Sequence, residues 1–294
     1  MSKKALVVAA LSGFFMFLED DIRILQEHGY EVMCAANMRD PVTEDSMRIF
    51  NQLGVKFVQI DFSSNKVCTW NNVRAYAQIR HLLRNERFSV IHCHTPFPGV
   101  IVRIAATKYR RMDKCKVLYT THGFYFHKGS TKKTWMVFYT VEKFMSAFSD
   151  AIITINNEDY ANAKRMFCHH VYKVNGMGLD YQRYQNVQID RTQYRMSLGI
   201  SDNELMIVAI GELSKRKNHQ VIVDAIKKSK LPNVCFAICG KAIEGSGTYD
   251  ELLAKAKREN VKLLFLGHRH DIPQICNCAD IGVIPSTREG LGMS

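Results

Sequence analysis

Histidines, clustered cations and a carboxylate, several of them beside glycine, mark the segments of this chain equipped for chemistry. One is His92-Cys93-His94-Thr95-Pro96. In an extended segment, alternation points His92 and His94 to one face and Cys93 to the other. Two histidines suggest a metal, but no carboxylate or second cysteine lies nearby in sequence to complete a four-ligand set, so none is expected there. A second segment is Thr120-Thr121-His122-Gly123-Phe124. The glycine leaves room for a ligand beside His122, although a histidine satisfied by local backbone bonds is the bland alternative. In Gly211-Glu212-Leu213-Ser214-Lys215-Arg216-Lys217-Asn218-His219, three consecutive cations follow a glycine turn. They suit a diphosphate, or are simply a solvated basic loop. In Pro285-Ser286-Thr287-Arg288-Glu289-Gly290-Leu291-Gly292, Glu289 stands where a helix opens, so capping alone would account for it. Gly13, in Leu11-Ser12-Gly13-Phe14, precedes a helix start whose N–H groups can face an anion, a weak signal by itself.

What is missing narrows the chemistry. No G-x-G-x-x-G links a strand to a helix, and Gly176-Met177-Gly178 lacks the third glycine, which argues against a nicotinamide or flavin enzyme. There is no G-x-x-x-x-G-K-[ST] of a P-loop nucleotidase, and no Asp-x-Asp to hold a divalent ion on a diphosphate.

The frame that positions these segments is legible in the alternation of short apolar runs with amphipathic stretches. Runs at 5–10, 31–36, 55–60, 88–93, 116–121, 151–155 and 171–174 read as strands apolar on both faces. Helical stretches such as 73–85, 100–109 and 157–167 separate them. That is the pattern of a parallel sheet covered on both sides, an α/β doubly wound domain. A polar, loop-rich stretch from Asn175 to about Asp202 interrupts it. Strands at 205–210, 234–239, 261–266 and 281–284 then resume, separated by helices. The expected organisation is a first domain over 1–175 and a second over 189–294. In such sheets ligands bind at the carboxyl ends of strands, which is where the segments above fall. The second unit stops at what reads as the opening of a helix, about two strands short of a six-stranded unit.

Taken in order and spacing, these motifs resemble family 4 glycosyltransferases of the bacterial capsular and exopolysaccharide branch. The resemblance runs along essentially the whole chain. It rests on Ile91-His92-Cys93-His94-Thr95-Pro96, Tyr119-Thr120-Thr121-His122-Gly123-Phe124 and Ile155-Asn156-Asn157-Glu158-Asp159-Tyr160. Gly176-Met177-Gly178-Leu179-Asp180, the Gly211 to His219 segment, Leu266-Gly267-His268-Arg269-His270-Asp271-Ile272 and the segment ending at Gly292 complete it. The resemblance implies the GT-B architecture, two Rossmann-like domains facing a cleft, here with the second incomplete. It implies retaining, metal-independent transfer of a sugar from a nucleotide-sugar, a UDP-sugar by preference, to a lipid-linked or polysaccharide acceptor. No cofactor is implied beyond the nucleotide-sugar co-substrate.

Residue by residue, Lys217 with Arg216 matches the cations that hold the donor diphosphate and stabilise the leaving nucleotide. Gly13, Gly240 and Arg269 match donor-side positions. His122 matches the histidine that contacts the transferred sugar, and His94 and Phe124 fall on the acceptor side. Glu289 matches the first glutamate of E-x7-E, which meets the sugar hydroxyls. Two departures stand out. Glu212 occupies the place of an arginine in many relatives, and the second glutamate would fall just past Ser294. The consequences expected are an open sheet edge, a loosely held Glu289 and weakened donor binding. A non-catalytic remnant or binding module of the same fold is the alternative reading.

The whole-chain properties agree with this frame. Hydrophobic residues make up 47% and charged residues 23%, ample for packed cores. The net charge of +12 fits phosphate-bearing substrates, an anionic membrane or nucleic acid, but no nucleic-acid motif surrounds the basic residues. Nine scattered cysteines without paired C-x-x-C knuckles point to a reduced, cytoplasmic compartment. Lys3-Lys4 before an apolar run resembles a signal peptide, but Ser12-Gly13 breaks the run and a helix pattern follows, closed by Gly29. No run reaches the ~18 apolar residues of a membrane span. From 128 to 145, Lys132, Lys133 and Lys143 alternate with Trp135, Phe138, Tyr139 and Phe144. Upstream, Lys108, Arg110, Arg111, Lys114 and Lys116 form a second basic cluster. This suits peripheral contact with the inner face of an anionic membrane, against the plainer reading of a domain helix with a buried aromatic face.

Overall fold

The computed structural model describes residues 3–39, 44–63, 69–112, 114–178, 181–243 and 245–289, without the side chains of residues 44–46 and 49. The chain divides into two compact units, Met1–Gly178 and Leu179–Ser294.

Seven parallel strands form the first unit: β1 (Lys3–Leu11), β2 (Tyr30–Asn37), β3 (Lys56–Gln59), β4 (Val90–His94), β5 (Lys116–Thr121), β6 (Ala151–Thr154) and β7 (Val171–Lys173). Their order is β3-β2-β1-β4-β5-β6-β7, so the winding reverses between β1 and β4. Alternation sorts each central strand onto two cores. Leu6 and Val8 of β1 join Ile91, Cys93, Val117 and Tyr119 on one face. Ala5, Val7 and Ala9 join Phe15, Leu18 and Ile22 on the other. Burial on both faces explains why these strands read as continuous apolar runs.

The segment resembling a signal peptide is β1 followed by a 3-10 helix, Ser12–Phe17, and an α-helix, Glu19–Glu27. Gly29 ends that helix at φ +79°, in the left-handed region that favours glycine.

The second unit has β8 (Leu205–Ile210), β9 (Val234–Cys239), β10 (Lys262–Gly267) and β11 (Ile281–Val283), in the order β10-β9-β8-β11, all pairs parallel. Ala209, Phe236 and Ile238 face one core, and Met206, Val208, Cys235 and Ala237 the other. β11 is an edge strand, and Ile281 is exposed there. The stretch expected to be loop carries two short helices, Tyr181–Gln185 and Arg191–Ser197. The second is held by a residue whose role the sequence conceals. Arg195 is buried, donates to the carbonyls of Cys278 and Glu204, and pairs with Asp280, which also accepts from the Met206 amide at 2.7 Å.

Candidate active site

In the first unit, β1, β4 and β5 deliver their carboxyl ends to one place. Register sets His92 opposite Leu118 and His94 opposite Thr120, on the Phe15–Leu18 side of the sheet. His92 Nε2 meets Thr120 Oγ1 at 2.7 Å, and His94 Nδ1 meets His122 Nε2 at 3.1 Å. The His122 ring also stands edge-on to Phe14, 4.7 Å between centroids. Burial depresses the imidazoles: His92 and His122 titrate near 4, and His94 lies well below the ordinary histidine value. Near neutral pH the trio is therefore uncharged, able to exchange hydrogen bonds with hydroxyls without repelling a cationic centre.

Two assignments change on contact with the geometry. His94 is fully buried, so it orients His122 rather than facing an acceptor. Phe124 is core, stacked on Phe126 at 4.8 Å, because the chain beyond β5 turns it inward and turns Tyr125 out. The carboxylate absent from the sequence neighbourhood of the histidines is supplied by Asp21, whose Oδ1 lies 3.9 Å from His92 Nδ1. Burial and the neighbouring Asp20 lift its carboxyl to about 6. Asp21, His92 and His94 each present one donor atom, all within 4.8 Å of one another. A first-row ion with ~2.1 Å bonds draws its ligands to roughly 3.5 Å apart, so this set would have to contract to hold one.

Gly13 is also placed differently from expectation. It lies inside the 3-10 turn, and the α-helix that follows carries Glu19, Asp20 and Asp21 in its first turn. Those carboxylates already match the positive helix end, which weakens the anion cradle expected there. A Cβ on Gly13 would meet nothing within 4 Å, so the space beside it is open.

The second unit gathers the other candidates at the carboxyl ends of β8 and β11. Lys217 is buried, and its Nζ donates to Glu289 Oε1 at 2.8 Å. Arg216 donates to Glu289 Oε2 at 3.0 Å and more weakly to Glu212 at 3.3 Å. The Ser286 hydroxyl donates to the same carboxylate at 2.6 Å. Burial alone would raise the Glu289 carboxyl. Hydrogen bonds from Lys217 and Ser286, with the Lys217 and Arg216 charges, hold it below the usual carboxylate range. Glu289 is thus firmly gripped, contrary to the expectation of a loose carboxylate; the helix it was expected to open lies outside the described residues. Among the described residues the grip comes from Lys217 and Arg216 in the loop after β8 and from Ser286 nearby. Ser286, three residues earlier, was the available sequence signal.

Glycine is required twice in this cradle. Gly211 has φ +139°, and a Cβ there would stand 2.8 Å from Lys217 Cε. A Cβ on Gly240 would fall 1.8 Å from the Gly211 carbonyl oxygen. Gly240 therefore serves backbone packing between the β8 and β9 loops. Arg269, expected on the donor, makes a bidentate pair with Asp271, which also accepts from the Tyr194 hydroxyl.

The Lys132–Ser146 helix combines both readings of its sequence. Trp135 and Tyr139 pack on Phe126, while Met136, Val137, Val141 and Phe144 are exposed. Arg110 and Lys116 of the upstream basic cluster pair with Asp150. No described helix is long and apolar enough to cross a membrane.

Two parallel-sheet units, each with polar residues at its strand ends, define the GT-B class of nucleotide-sugar enzymes, and solved structures agree. The Anabaena protein HepE, crystallised with UDP and glucose, superposes with a TM-score of 0.77 at 17% identity, covering 99% of this chain and 76% of that one. A Rickettsia africae glycosyltransferase gives 0.72 at 15%, covering 99% and 75%. The chain belongs to glycosyltransferase family 4: residues 18–172 match Glycosyltransferase Family 4 and residues 190–294 match Glycosyl transferases group 1. Bacillus subtilis (strain 168) EpsD, provisionally named a glycosyltransferase, is 33% identical over all of this chain and 75% of its own length. An Escherichia coli UDP-Gal:alpha-D-GlcNAc-diphosphoundecaprenol alpha-1,3-galactosyltransferase is 24% identical over 97% of this chain and 73% of its own.

Proposed function

We propose that this glycosyltransferase moves a sugar from a UDP-sugar to a lipid-linked saccharide of polysaccharide assembly, with retention and without a metal ion. The observation that carries this reading is the Lys217–Arg216–Glu289 cluster, two cations and a carboxylate preassembled at strand ends. Lys217 and Arg216 neutralise the diphosphate as the leaving nucleotide gains charge, work done elsewhere by a divalent ion. Glu289 meets the sugar hydroxyls, and neutral His122 contacts the transferred sugar. Open space beside Gly13 admits the donor. The diphosphoundecaprenol in the name of the galactosyltransferase relative supports this acceptor class. The exposed apolar face of the Lys132–Ser146 helix, with Lys132 and Lys133, favours peripheral contact with an anionic membrane on the cytoplasmic side.

The test is radiolabelled sugar transfer from common UDP-sugars to diphosphoprenyl saccharides, with and without EDTA. Transfer that survives chelation, with retained anomeric configuration, is expected. Activity abolished by EDTA and restored by magnesium would overturn the role given to Arg216 and Lys217. Binding of UDP-sugar without turnover on any acceptor would favour a binding module. His122→Ala should lower turnover far more than UDP affinity; a variant that loses only stability would return His122 to a structural role.

A further inference from the structure

An apolar pocket of about 270 Å³ lies in the first unit, lined by Phe97, Val100, Ile101, Tyr125, Val137 and Phe138 among others. Its one charged wall residue, Glu142, is occupied by Arg103 at 2.9 Å and by the Tyr119 hydroxyl at 3.3 Å. Apart from Asn72, whose Oδ1 accepts from the Ser63 amide at 3.0 Å, what remains for a guest is hydrocarbon and aromatic surface. Resting on the lipid-linked acceptor proposed above, we infer that this pocket takes the first isoprene units of the acceptor's prenyl tail.

Four observations point to that occupant. The pocket borders the strand ends that carry the histidines: Pro96 and Phe97 come two and three residues after His94, and Tyr125 three after His122. Ile101 and Phe138 pack on the opposite face of the sheet from His92. Pro96, Phe97 and Tyr125 thus bring the pocket to the rim of the sheet, where β4 and β5 end beside the histidines.

The wall helix is also polarised. It leaves the carboxyl end of β5 through residues 128–131, and beyond it Asp150 accepts from the Val117 amide at the amino end of β5. Lys132 and Lys133 thus stand at the end nearer the histidines, and neither has an ion-pair partner among the described residues. Lys133, Val137 and Val141 are spaced four apart, which stacks a cation above two exposed apolar residues on one face. A head bearing anionic phosphates on an aliphatic tail has that same polarity.

The helix is further distorted where it lines the pocket: Trp135–Tyr139 forms a π-helical turn between α-helical segments. Such turns cost helix geometry and recur at functional sites. Finally, the volume falls near the lower end of ligand pockets, roughly 300–1,000 Å³, which suits the leading part of a long chain, the remainder staying in the bilayer.

Calorimetric titration of the full chain with farnesyl diphosphate and with inorganic diphosphate tests this. Each buried methylene is worth roughly fourfold in affinity, so a tail seating three or four of them should bind about 100-fold more tightly. Val100→Trp, which fills the pocket, and Val137→Asp, a surface change that sets a carboxylate at its wall, should each remove that advantage while UDP affinity stays the same. Equal binding of the two diphosphates would overturn the inference, as would either folded variant retaining the preference. Binding to anionic vesicles without prenyl lipid, and no farnesyl preference, would make this face a membrane contact and the pocket irrelevant. Loss of UDP binding with an intact farnesyl preference would count against the transferase reading and leave the pocket standing.

Discussion

Replacing Lys217 with methionine keeps most of the buried aliphatic stem and removes one charge. In the ligand-free protein the ammonium makes a 2.8 Å bond to Glu289, with 11% of the lysine side chain and 21% of the glutamate side chain exposed. Arg216 at 3.0 Å and Ser286 at 2.6 Å remain to hold the carboxylate. Losing one charge-assisted bond in a partly buried setting should therefore cost about 1–3 kcal/mol of stability in the second unit. The pH dependence has a definite sign. Because the Glu289 carboxyl is depressed in the fold, the stability it contributes is present above its unfolded pKa, the ordinary glutamate value of 4.5, and is lost as pH falls through the folded value. The gap between wild type and Lys217→Met should accordingly be full at neutral pH and close in acid. For the donor, loss of one phosphate contact of ~1.5–3 kcal/mol should weaken UDP roughly 10- to 100-fold. Uridine, which lacks phosphate, should be unaffected. Thermal unfolding across pH and paired titrations with UDP and uridine measure both effects. Equal losses for UDP and uridine, or an unchanged UDP affinity, would refute the phosphate role of Lys217.

Acidification should weaken the first unit: burial brings His92 and His122 down to about 4 in the fold from the ordinary histidine value of 6.5, so stability declines as pH falls from 6.5 toward 4. A shift of that size is worth at most about 3 kcal/mol per group, and His92→Gln should flatten a urea-midpoint profile over this window. Glu142→Gln leaves the buried Arg103 without its counter-charge and should cost about 3–5 kcal/mol by chemical denaturation, recovered in part by adding Arg103→Met. Gly240→Ala should impair folding of the second unit, since the new methyl meets backbone at 1.8 Å, whereas Gly13→Ala should fold normally and lower only UDP-sugar affinity. Circular dichroism and titration of both variants would separate the two glycines; equal thermal stability would contradict the packing role of Gly240.

The strands were legible because parallel central strands are buried on both faces and so stand out as short apolar runs, as Ala5 to Ala9 do. The chemistry at strand ends was legible too, since glycine, histidine and cations sit just after those runs. What the sequence withheld were partnerships across long separations. Nothing near His92 announces Asp21, which arrives from the helix after β1. Nothing near Lys217 announces a carboxylate 72 positions away. The inward turn of Phe124 depends on Phe126 and its neighbours, and two adjacent aromatics past a strand end carry no signal for which one is core. The polar stretch after Gly178 hid the Arg191–Ser197 helix because the helix is short, and Tyr194 alone of its residues packs on the core while buried Arg195 anchors it.

The Arg103–Glu142 pair gives the Lys132–Ser146 helix an unequal attachment. At one end a guanidinium lies 4.2 Å over the Tyr119 ring and 2.9 Å from the carboxylate, with its Nε donating to the Gly99 carbonyl. At the other end the helix is held by the Trp135 ring packed at a tilt on Phe126, 4.9 Å between centroids, and by the Trp135 indole donating to the His127 carbonyl at 2.8 Å. Breaking a buried ion pair costs about 3–5 kcal/mol, whereas an aromatic pair is worth only about 0.5–1.5 kcal/mol beyond its burial. The helix is therefore attached most firmly at Glu142. The other end, held by rings and one indole bond, carries Lys132, Lys133 and the π-helical turn, and it borders the pocket at Val137.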